Sequence, residues 1–320
     1  MDVPLAEWIG ILDSEYARSY VPAGGSTVKF AIANSPAVAE DVRQELAALA
    51  RRYDLACFGL DGGSTRIHMI DQVFHAVARQ IDWDALAGNL MRRLLSADGY
   101  VMPPEIERCT YPEIAVLNGT SETELRRRVR VLLHEHVEQD YALVHEFRNA
   151  MLRLCQARLE ASRVELTEID NIHAWLRGEL RLVSVLRPAG IYQRIGRNLA
   201  RDMFLSLAHW LRMTGQSGCI LILDISRYAL ERRFGDPDGL FYHSSTAVID
   251  AYEVLRQFID GTDELEGCLI VVLAPTAFLT DEKRGLAKYL PLKFRIWDDV
   301  RDRTRPNPLA SLVRVAAAGV

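Results

Sequence analysis

An acid that closes a buried apolar strand can hold a divalent cation through water, and Asp224, at the end of the run CILILD, is such a residue. Thr276 follows a second apolar run, Cys268–Ala274 (CLIVVLA), where a strand-end hydroxyl can sense the terminal phosphate of a nucleotide. Arg284 and Arg295 come soon after, as a sensor or as a finger offered to a neighbouring subunit. Asn34 and Ser35 lie between the run TVKFAIA and Pro36, so they open a helix whose free amides attract an anion. Together these six residues outline a site for ATP and Mg²⁺, with Asp224 as the residue that bears the metal.

The elements that must position them alternate along the chain. Residues 27–33 read as a strand, and Asn34-Ser35-Pro36 supplies the cap and first-turn proline of a helix running to about Arg52. LACFGL, residues 55–60, is a second buried strand, followed by apolar residues at helical spacing from Ile67 to Ile81. From Trp83 to about Trp210 the strand patterns stop, and helical ones take over, including a continuous helix predicted over 138–168. Strands resume at CILILD and CLIVVLA, with a helix over 246–259 between them. Buried strands that alternate with helices predict an α/β fold with a parallel sheet covered on both faces. The expected division is a core of residues 1–82 and 191–320 with a helical insertion over 83–190.

A phosphate-binding strand ordinarily feeds G-x-x-x-x-G-K-[ST], whose amides cradle phosphate and whose lysine reaches the terminal phosphates. Here the strand continues as Ala33-Asn34-Ser35-Pro36-Ala37-Val38, without glycine or lysine. The only lysines are Lys29, Lys283, Lys288 and Lys293, and Lys29 lies inside the strand. In P-loop ATPases that hydrolyse nucleotide a glutamate usually follows the metal-bearing acid and orients the attacking water; Ile225 stands there and cannot. Hydrolysis is therefore expected to be lost or very weak. A plain capped turn at Asn34 and Ser35 and solvated arginines at 284 and 295 are the structural alternatives.

Other motifs carry less. Leu60–Thr65 (LDGGST) is similar to the first phosphate loop of the actin and sugar-kinase class, but that loop requires a β-hairpin, and residues 66–80 are helical in pattern. His134 and His136 point to different faces of a helix and would not share a metal. Arg126-Arg127-Arg128 with Arg130 is the strongest basic run, fit for a phosphate backbone or an acidic partner.

Composition bounds the class. About half of the 320 residues are apolar, a quarter are charged, and the net charge is −5, so no whole-protein field draws the chain to a polyanion. The five cysteines (57, 109, 155, 219 and 268) stand far apart and predict buried thiols in a reducing cytoplasm. The acidic N-terminal stretch and the absence of a long apolar run predict neither a signal peptide nor a membrane span.

Several segments in order carry a resemblance: WLRGE at 175–179, IGRNLARDMFLSLAHWLRMTG at 195–215 running into GCILILD, AYEVLRQFIDG at 251–261 and RGLAKYLPLKFRI at 284–296. With Arg66-Ile67-His68 after the second strand, they resemble the ATP-binding proteins of the BREX phage-defence systems over about residues 28–314. The resemblance implies a P-loop NTPase-like fold of the AAA+/ASCE type. It also implies work in a cytoplasmic multi-protein anti-phage complex that acts on DNA. The departures at Asn34-Ser35-Pro36 and at Ile225 lead to the expectation of a degenerate, structural or regulatory subunit in a homo- or hetero-oligomer beside an active ATPase. The alternative is a slow ATPase completed in trans by a partner.

Overall fold

The computed structural model describes residues 2–105, 110–160, 166–230, 242–297 and 307–317; Cys109 lies outside them. Two compact units are present, Met1–Val77 with Gln216–Val320, and Ala78–Gly215.

The first unit is built on six parallel strands: β1 (Val3–Pro4), β2 (Thr27–Ala33), β3 (Leu55–Asp61), β4 (Gly218–Asp224), β5 (Cys268–Pro275) and β6 (Leu312–Ala316). Their order across the sheet is β1-β6-β2-β5-β4-β3. β5 thus stands between the strand that feeds the first long helix and the strand that ends in Asp224, the additional-strand arrangement of the P-loop NTPase-like class. Every residue of β4 is buried, as is every residue of β5 before Pro275, which is what a sheet covered on both faces requires. β1 and its neighbour β6 were not evident in the sequence, because β1 has two residues and β6 alternates buried and exposed positions around Arg314.

Side-chain alternation divides the core. On one face Ala31, Ala33, Ile220, Ile222, Leu269, Val271 and Leu273 pack with Val38, Val42, Leu46 and Leu49 of α2 (Pro36–Arg52) and with Trp8 of α1 (Leu5–Ile11). Each fully buried aliphatic side chain there contributes about 1.5–3 kcal/mol. Helix α3 (Ile70–Ala78) follows β3. On the other face Phe30 stacks on Phe278, ring centroids 6.1 Å apart, and Tyr252 meets Phe278 edge-on.

The second unit is helical: α4 (Trp83–Ala97), α5 (Tyr111–Asn118), α6 (Glu122–Leu133), α7 (His145–Leu159), α8 (Leu166–Leu176) and α9 (Arg197–Met213). The continuous helix expected over 138–168 does not form. Asp140 Oδ1 accepts the Ala142 amide at 3.0 Å in a turn before α7, and Glu160 leaves α7 in an extended conformation. Residues 161–165 lie outside the described residues. Returning to the first unit, the chain adds α10 (Ser226–Ala229), α11 (Ser245–Asp260), α12 (Ala277–Thr280) and α13 (Leu290–Ile296). Among the described residues no helix is long and apolar enough to cross a membrane.

Candidate functional site

Because the strands are parallel, their carboxyl ends open on one edge, the edge at which ligands bind in open α/β sheets. Asp224 pairs in register with Leu273 and Asp61, and Ala33 pairs with Pro275, so Asn34 and Thr276 leave the sheet as neighbours. Four of the six residues singled out in the sequence therefore stand along this edge: Asn34, Ser35, Thr276 and Asp224.

The turn after β2 consists of Asn34 and Ser35 alone. Ser35 is the N-cap of α2, its Oγ accepting from the Val38 amide at 3.3 Å, and Pro36 occupies the first helical position. The cap thus takes up one of the amides that an anion would need. Lys29 is buried and donates from Nζ to the Leu309 carbonyl at 2.7 Å, its ammonium lying over the Tyr16 ring. It does not reach this turn.

Asp224 is buried, and both carboxylate oxygens have protein partners. Oδ2 is ion-paired with Nη2 of Arg43, which comes from the middle of α2, and Oδ1 accepts the Ser226 amide at 2.8 Å. Arg43 also bonds Glu40 at 3.0 Å. Ile225 is completely buried, and its amide donates to the Leu273 carbonyl. These residues do not fit a hydrated Mg²⁺ carrying a nucleotide in the usual way. A guanidinium already faces the carboxylate, and the turn after β2 supplies neither lysine nor glycine.

Beside Asp224 lies a cluster that sequence reasoning missed. The Gly62 amide donates to the Asp224 carbonyl at 2.8 Å, and the Gly62 carbonyl accepts from His243 Nε2 at 2.7 Å. His243 stacks on Tyr228 with ring centroids 3.7 Å apart and planes 3° from parallel. The Tyr228 hydroxyl accepts the His68 amide at 3.2 Å and meets His68 Nδ1 at 2.9 Å. Burial pushes the Tyr228 hydroxyl up to about 12. Burial first, then the positive charges of Arg284 and Arg66, hold the His243 imidazolium below its ordinary range, against the pull of the Gly62 carbonyl. No spacing in the sequence links His68, Tyr228 and His243; only the strand order brings them together.

Arg284 closes the cluster, Nη1 donating to the carbonyls of His243 at 3.0 Å and Tyr228 at 3.4 Å. Asp281 Oδ1 accepts the Arg284 amide at 2.8 Å and fixes the turn that carries it. Arg295 lies elsewhere. It is paired with Asp260, with Nη2 to Oδ2 at 2.9 Å, where α11 ends and the chain leads into β5, at the opposite edge of the sheet from Asp224. β3 is followed by the Asp61–Thr65 turn and then α3, so the hairpin that a sugar-kinase loop needs is absent among the described residues. Among the described residues no group of three or more His, Cys, Asp or Glu side chains is gathered as a metal site.

Comparison with protein families gives one match: the model described as BREX system ATP-binding protein BrxC/D covers residues 113–317. This span includes β4 with Asp224, β5 with Thr276, and β6, and begins after β2 and its turn. Neither the curated proteins nor the solved structures yield a match. With nearly two thirds of its residues under the family model, the chain belongs to the BREX system ATP-binding protein BrxC/D family.

Proposed function

We propose that this chain is a non-hydrolysing, P-loop-like subunit of a BREX defence complex, working in the cytoplasm through its surfaces on other proteins of the system, an active ATPase among them. Family membership supports the system. The observation that carries the loss of hydrolysis is the Arg43–Asp224 pair, in which a guanidinium provides internally the positive charge that Mg²⁺ would bring. Ile225, enclosed in the core, offers no group to activate water. Nucleotide, if held at the Asn34–Ser35 turn, would be held by helix amides alone and weakly.

A second reading completes the site in trans, with Arg284 or Arg295 reaching a neighbour and the assembly acting on DNA. Both arginines are engaged within their own chain, which favours the first reading. Hydrolysis of Mg·ATP by the purified chain, alone and mixed with the proteins encoded beside it, tests the two. The expected result is no turnover that depends on Asp224. Turnover abolished by Asp224→Ala overturns the proposal; turnover seen only in the mixture and lost with Arg284→Ala establishes the alternative.

A further inference from the structure

Half of the basic run most prominent in the sequence is neutralised. Arg126 is ion-paired with Glu122 and Glu160, and Arg128 with Asp98. A stretch elsewhere in the helical unit is different. From Leu180 to Arg201 there is no aspartate or glutamate, and five arginines occur: Arg181, Arg187, Arg194, Arg197 and Arg201. All five are exposed. Among the described residues Arg181, Arg187, Arg194 and Arg197 have no ion-pair partner.

The fold holds this stretch as a strap. Trp175 Nε1 donates to the Gln193 carbonyl at 3.0 Å, and Asn149 Nδ2 donates to the Gly190 carbonyl at 2.9 Å. Arg194 reaches back to the backbone carbonyl of Arg181, a bond that fixes its guanidinium without neutralising it. Arg197 and Arg201 occupy successive turns of one face of α9. That helix starts at Gly196 with no capping side chain and no acid in its first turn, so its dipole adds to the positive field. Tyr192, 62% exposed, stands among the arginines.

We propose that this strap is a nucleic-acid-binding face. Arginines fit a phosphate backbone through forked donors, and an exposed tyrosine ring offers a base a surface on which to stack. The arginines recur along an extended strap with no acid between them, as a linear phosphate backbone requires; a folded acidic protein would meet the ring equally well and is the outcome the polyglutamate arm below detects. The proposal stands independently of the state of the Asp224 site.

The test is fluorescence anisotropy of the full chain, without nucleotide, against short labelled single-stranded and duplex DNA across a salt series. Arg181→Gln/Arg187→Gln/Arg197→Gln is compared with wild type and with Arg127→Gln/Arg130→Gln on α6, all confirmed folded by circular dichroism. At low salt the strap variant should lose about tenfold or more in affinity. Its slope of log K against log salt should fall by about two to three, with the α6 variant unchanged. No binding by wild type, or undiminished binding by the strap variant, overturns the proposal. Equal binding of polyglutamate, lost in the same variant, also overturns it and reassigns the face to an acidic protein.

Discussion

The guanidinium of Arg43, from the middle of α2, is paired with the buried carboxylate of Asp224 at the end of β4. Removing either partner leaves a charge without its counterpart on the inner side of α2. Because Arg43 is about one third exposed, water offsets part of the loss, and Arg43→Ala should cost about 1–3 kcal/mol rather than the larger penalty of a sealed pair. Urea denaturation of Arg43→Ala, Asp224→Ala and the double variant measures it. The double variant should be less unstable than the sum of the singles; strict additivity would show that the pair contributes nothing.

Gly62 has no room for a side chain. A Cβ there would meet the Asp224 carbonyl oxygen at 2.9 Å and Tyr228 Cε2 at 2.9 Å. Gly62→Ala should therefore lose about 1–3 kcal/mol and loosen the stack beneath it. Thermal unfolding reads the first effect. The second appears as faster amide exchange at His68, whose amide donates to Tyr228.

His243 makes stability depend on pH below neutrality. Its folded-state pKa lies below the unfolded value near 6.5, so the unfolded chain binds the extra proton more readily, and stability falls as pH drops through 6.5 toward the folded value. His243→Gln retains a donor for the Gly62 carbonyl and carries no titrating group. Its unfolding free energy should change less than that of wild type between about pH 7.5 and pH 5.5. Parallel curves for the two proteins would remove His243 as the cause.

Lys29 has a structural task. Lys29→Met would leave the Leu309 carbonyl without its donor and remove the cation from the Tyr16 ring, costing about 1–2 kcal/mol. Any stabilisation by Mg·ATP, measured as a shift in melting temperature, should be the same in variant and wild type. A variant that selectively loses the ligand-induced shift would make Lys29 a phosphate ligand after all.

Much of the fold was legible because its signals are local. CLIVVLA and, up to Asp224, CILILD are continuous apolar runs, which strands buried on both faces demand; TVKFAIA is interrupted by Lys29, LACFGL is apolar although β3 is only partly buried, and Ser35-Pro36 announces α2 by cap chemistry alone. The site was legible only in part. Asp224 could be found because it closes a strand, but Arg43 is an ordinary surface-type residue until α2 packs against the sheet. Likewise His68, Tyr228 and His243 become neighbours only through strand order, and His68 and Tyr228 are 160 residues apart in the chain. The break before α7 escaped because Asp140 acts through a side-chain bond to the backbone, which periodicity does not register.

Ile225 sets a condition on any attempt to place a water-activating acid after β4. The position is sealed, its amide already bonded to β5, so a glutamate introduced there would enter an oily interior with no solvent to activate. Restoring a phosphate-gripping loop after β2 would not help by itself, since Arg43 would still hold Asp224. A hydrolytic site here would require coordinated changes after two strands and on one helix, and no one of them suffices alone, so single-step directed evolution would find no rewarded first move.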